Sequence, residues 1–132
     1  MKKIGIIFCL FVLSCSKDKV VTDDSSIDLG KITNIESKKI ISLGQNDTIV
    51  VTFTGGTNGC YKPHHLEATL TGLSTTLKAY YYVPGQPIVC PLIIPVHTLK
   101  YIFKPTSKGT YIYKSFNTVV SATTIVDWYL DN

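Results

Sequence analysis

From Lys31 onward the chain alternates. In "TIVVTFT", Ile49, Val51 and Phe53 fall on one face, Val50 and Thr52 on the other. "LEATLT" places Leu66, Ala68 and Leu70 against Glu67 and Thr69, and "TLKAYYYV" places Leu77, Ala79, Tyr81 and Val83 against Lys78, Tyr80 and Tyr82. "LKYIFK" sets Leu99, Tyr101 and Phe103 against Lys100 and Lys104. A period of two is the signature of a strand with one buried face, and the β-branched and aromatic content of these runs agrees with it. "SKKIISL", Ser37 to Leu43, reads as the first strand, and "GTYIYKSF" and "VVSATTIVDWYL" as the last two. Glycine, proline and asparagine separate most runs, and no helix-period run of useful length appears beyond Gly30. About seven short strands in roughly 100 residues predict an all-β, antiparallel sandwich.

The N-terminus has a different character. Lys2 and Lys3 precede an apolar run from Ile4 to Leu13, broken by Gly5. That run is about half of the roughly 20 residues a membrane-spanning helix needs, which fits an export signal. The signal ends in "VLSC", Val12 to Cys15, which resembles the lipobox of bacterial lipoproteins. The resemblance implies cleavage before Cys15 and a diacylglyceryl group on its thiol, with palmitate-type acylation of the new amino terminus. Residues 1–14 thus read as the signal peptide; 15–30, polar and without a periodic apolar pattern, as the lipidated cysteine and a flexible tether; and 31–132 as the domain. The resemblance also implies a cell-envelope location, on the outer membrane and facing periplasm or surface. "SKDK", Ser16 to Lys19, resembles Bacteroidota surface-export signals but lacks paired acids directly after the lysine.

Composition narrows the partners. The net charge is +4, and Lys2 and Lys3 of the leader supply two of those charges. All 13 basic side chains are lysines. Arginine is the preferred bidentate partner of phosphates and guanine edges, so nucleic acid is not an expected partner. Cys60 and Cys90 lie beyond the leader and its lipobox. In an exported chain two such cysteines read as one disulfide.

"KPTSKGTYIYKSF", Lys104 to Phe116, resembles the E–F corner of immunoglobulin-like domains. The resemblance makes Tyr111 the corner tyrosine and seats Tyr113 in the core, where antibody domains carry a cysteine. It also brings the loops bearing Cys60, Cys90 and Asn117 to one end of an immunoglobulin-like sandwich.

"CYKPHH", Cys60 to His65, is the densest cluster of chemistry. His64, His65 and His97 suit copper or zinc, but Cys60 in a disulfide is lost as a ligand, and adjacent histidines on a strand point to opposite faces. A thiol nucleophile at Cys60 would need the reduced state. "TGGTNG", Thr54 to Gly59, follows a strand without the helix a phosphate cradle needs, and reads as a flexible loop leading to Cys60. Tyr80 and Tyr82 share a face and make contact surface for a sugar or a protein. "DTI", Asp47 to Ile49, resembles the O-glycosylation sequon of exported Bacteroidota proteins, with Thr48 as acceptor. The chain thus reads as a membrane-tethered, non-enzymatic binding or accessory module without a cofactor, for an unknown protein or carbohydrate partner. Tyr61, His64, His65, Tyr80, Tyr82, Pro87 and Asn117 are its candidate contacts. The alternatives are a small envelope metal-binding protein using His64, His65 and His97, and a structural part of an envelope assembly paired through a strand edge.

Overall fold

The structure is a computed structural model and describes residues 26–85 and 89–128. Cys15, the leader and Pro87 lie outside the described residues. Nine strands form among the described residues: β1 (Ser26–Leu29), β2 (Lys31–Glu36), β3 (Ile40–Ser42), β4 (Asp47–Thr54), β5 (Lys62–Thr71), β6 (Ser74–Val83), β7 (Val96–Phe103), β8 (Gly109–Ser115) and β9 (Ser121–Asp127). They make two sheets, β2-β4-β7 and a larger one containing β1, β6, β8, β9 and β3, with β5 paired to β6. No helix is among them, and the ladders are largely antiparallel. The fold is a β-sandwich.

The core lies between the sheets. Ile32, Ile49, Val51 and Phe53 face Ile41, Leu77, Ala79, Tyr113 and Val126, all buried. Phe103 of β7 crosses the gap, its ring 5.0 Å from Tyr111 and 6.2 Å from Tyr113. The alternation expected for β4 and β6 holds. On β5, Leu66 and Ala68 are only half-buried and the expected inward Leu70 is exposed. Three strands are too few to cover the wider sheet, and β5 is its rim.

Two strands precede the expected first one. β1 falls in the stretch read as tether, yet pairs with the last residues of β6, Ser26 opposite Val83. β2 escapes a period-two reading because its core residues, Ile32 and Ile35, are three apart. A bulge between Ile32 and Asn34 resets the phase, so both are buried. A bulge inserts one residue and returns the next side chain to the original face. The expected first strand shrinks to β3, which runs parallel to β9.

The strand order departs from the immunoglobulin pattern. That pattern puts the fourth long strand in the sheet of the first, second and fifth. Here β6 lies between β5 and β8, parallel to β8. The reason is local: Thr71 pairs with Ser74, leaving Gly72 and Leu73 as a two-residue turn with φ +62° at the glycine. So short a loop holds its two strands side by side and cannot carry the chain across to the other sheet.

The corner itself forms as expected. The Tyr111 hydroxyl donates to the Ser107 carbonyl at 3.0 Å. At the same end Asp47 is fully buried. Its carboxylate lies 2.8 Å from the Thr124 hydroxyl and 3.4 Å from that of Tyr113. Burial, then the neighbouring Asp47 charge, pushes the Tyr113 phenol well above its usual range. Asp47 is the first residue of "DTI", while Thr48 is exposed.

Candidate functional site

The opposite end holds the candidate residues. Cys60 and Cys90 are disulfide-bonded, with Cα atoms 5.5 Å apart. The bond joins the β4–β5 and β6–β7 connections, and the Gly59 amide donates to the Pro91 carbonyl at 2.8 Å beside it. "TGGTNG" has a packing role here. A Cβ on Gly55 would overlap the Tyr81 ring, and one on Gly56 (φ +84°) the Tyr61 ring. The glycines let both rings lie on the backbone, 5.6 Å apart and edge to face. The Tyr81 hydroxyl reaches Asp28 of β1 at 3.2 Å. Tyr61 therefore serves largely as half-buried packing.

His64 and His65 do not diverge as neighbours on a regular strand would. β5 shifts register between Pro63, opposite Tyr81, and His65, opposite Tyr80. His64 is the extra residue of a bulge, so both rings come together and their Nδ1 atoms face one another. The His65 ring stacks on Tyr80 at 4.6 Å and 7° between planes. His64 meets Tyr82 edge to face at 4.3 Å. Beyond them the Tyr80 hydroxyl donates to Glu67 at 3.0 Å, and Lys78 lies 3.9 Å from the same carboxylate. Partial desolvation, then the Glu67 contact, pushes the Tyr80 phenol up.

Four of the expected contacts, His64, His65, Tyr80 and Tyr82, thus form one accessible strip of rings on β5 and β6. Glu67 and Lys78, which the sequence reading did not select, extend it. Their i, i+2 spacing along alternating strands was the available signal. Asn117 is elsewhere: its amide donates to the Gly30 carbonyl at 3.0 Å and braces the turn after β8 against the start of β2. β1 separates that turn from the loop end, because β8 pairs with Ser74–Leu77 and β1 with Tyr80–Val83 on the same edge of β6.

His97 also stands apart, on β7, with its ring 5.3 Å from Phe53. Among the described residues its buried Nε2 has no hydrogen-bond partner, and burial pushes its pKa down, partly offset by a hydrogen bond to the Gly55 backbone. Both features favour a neutral ring. Among the described residues no three His, Cys, Asp or Glu side chains converge as a metal site. Among the described residues β5 pairs with β6 alone. Lys62, Pro63 and the bulge are the features by which natural sheets discourage edge pairing.

Comparison with protein-family models, with curated proteins and with solved structures finds no match to this chain.

Proposed function

We propose that this chain is a lipid-anchored, non-enzymatic binding module of the cell envelope, with carbohydrate as its ligand class. The observation that carries the reading is the strip of His64, His65, Tyr80 and Tyr82 on the outer face of a hydrogen-bonded hairpin. Ring faces suit the C–H faces of sugars, and the Glu67 carboxylate and Lys78 ammonium at one end suit hydroxyl groups. The lipobox-like "VLSC" supports the anchor at Cys15, and the export context supports the Cys60–Cys90 bond.

The test is binding of purified protein to envelope polysaccharides and peptidoglycan fragments, read by ligand-observed NMR. Tyr80→Ala with Tyr82→Ala should weaken binding at least tenfold while thermal unfolding stays cooperative. Unchanged affinity in the double variant rules out this face. Capture of a protein instead of a glycan makes the partner a protein.

One observation favours a second reading, a copper or zinc site. The facing Nδ1 atoms of His64 and His65 are two donors already together. Calorimetric titration of wild type and of the His64→Ala, His65→Ala variant checks it. Equal metal binding by both removes these ligands.

A further inference from the structure

We propose that the disulfide-pinned loop from Val89 to Val96 inserts into the surface of the membrane that carries the Cys15 lipid. The proposal rests on the anchored reading above and adds an orientation to it. Five aliphatic side chains crowd this short stretch and are withdrawn from the core. Val89 and Leu92 are 101% and 96% exposed, and Ile93, Ile94 and Val96 61–69%. Such exposure describes tips standing free of the body, not the lining of a groove. From Pro84 to Thr98 the chain has no Asp, Glu, Lys or Arg. Exposed apolar clusters of this kind mark membrane or protein contacts. The missing charge removes the largest desolvation cost of entering a bilayer.

Three further features favour lipid. The loop is held firm before contact, by Cys60–Cys90 and by the Gly59–Pro91 and Ile93–Pro91 backbone bonds. Little ordering entropy is therefore left to lose on insertion. Pro91 and Pro95 have no N–H, so fewer backbone donors would need a partner away from water. Finally, the described chain starts beside this loop. Ser26 is opposite Val83, and Pro84 begins the connection that leads to Cys90. The stretch from Cys15 to Ser26 reaches at most about 40 Å even fully extended. An anchor on Cys15 therefore attaches to the loop end of the sandwich and keeps that end, with its aliphatic tips, within about 40 Å of the bilayer.

The experiment uses the full chain, processed in cells and purified from membranes in detergent. An environment-sensitive fluorophore is placed through Leu92→Cys, or through Thr106→Cys at the opposite end of β7. Each protein is reconstituted into phosphatidylethanolamine–phosphatidylglycerol vesicles with and without nitroxide lipids. The Leu92 label is expected to be quenched at least threefold more than the Thr106 label, with emission shifted to shorter wavelength. Adding Ile93→Asp and Ile94→Asp should bring the Leu92 label to the Thr106 level while the protein still floats with the vesicles. A floating protein whose Leu92 label is quenched no more than the Thr106 label overturns the proposal and leaves the anchor standing. So does a Leu92 label shielded equally without lipid, which would mean a second copy or a segment of the chain covers the loop. Failure of the wild type to float, with no acyl mass on the chain, overturns anchor and proposal together.

Discussion

The two ends of β7 enter connections of opposite kinds. At Phe103 the chain turns through Lys104–Lys108 into β8, a short polar corner closed by Tyr111 on Ser107. Buried Asp47 and its hydroxyl neighbours lie beneath it. At Val96 the chain arrives from a long, uncharged connection in which Val89, Leu92, Ile93 and Ile94 are exposed. The corner holds itself together through hydrogen bonds native to its strands. The loop end is held by one covalent bond, by the Gly59–Pro91 and Ile93–Pro91 backbone bonds and by two tyrosine rings on glycines. A fold stabilised at one end by its own packing leaves the other end free to carry contact surface.

The largest effect should come from the loop end's bond. Replacing Cys60 and Cys90 by Ala should cost about 3–4 kcal/mol for a separation of 30 residues, measured by urea unfolding. A loss below about 1 kcal/mol would mean that the loop end is held by its packing, as the corner is. Next, Asp47→Ala removes the shared partner of the Tyr113 and Thr124 hydroxyls, and should cost about 1–3 kcal/mol. Tyr111→Phe, which removes the hydroxyl's contacts with the Ser107 carbonyl and hydroxyl, should cost about 0.5–1.5 kcal/mol.

pH probes one group near each end. His97, near the loop end, has its pKa lowered in the folded state, so the unfolded chain binds the extra proton. Its contribution to stability is whole above the ordinary histidine value of 6.5 and is lost as pH falls below it. Tyr113, near the corner, has its pKa raised, so its contribution is whole below 10.0 and is lost as pH rises past it. His97→Phe should flatten the acid limb of an unfolding-midpoint profile and leave the alkaline limb. Tyr113→Phe should do the reverse. The smallest effect belongs to Leu92→Ser, within about 0.5 kcal/mol, because that side chain touches water in the isolated domain. A larger loss would show that the loop stabilises the fold.

Legibility in the sequence followed regularity. β4 and β6 were readable because strict alternation survives wherever a strand is covered on one face. The corner was readable because Gly109 and Tyr111 lie close together in sequence. β2 and the histidine pair were missed for a shared reason: a bulge breaks the period of two, so Ile32 and Ile35 looked unpaired and His64 and His65 looked opposed. β1 was missed because four residues in a polar stretch have no signal apart from the edge of β6 they complete.

By itself the sequence determined the all-β class, most strands and their inward faces. These depend on backbone sterics and on side chains a few residues apart, and both are local. Only the tertiary structure decided that β6 stays beside β5, that His64, His65, Tyr80 and Tyr82 share one surface, and that Asp47 is buried. Each depends on which strand lies next to which. That choice is made by a two-residue turn, two bulges and the burial of a common core, and no single run of residues carries it.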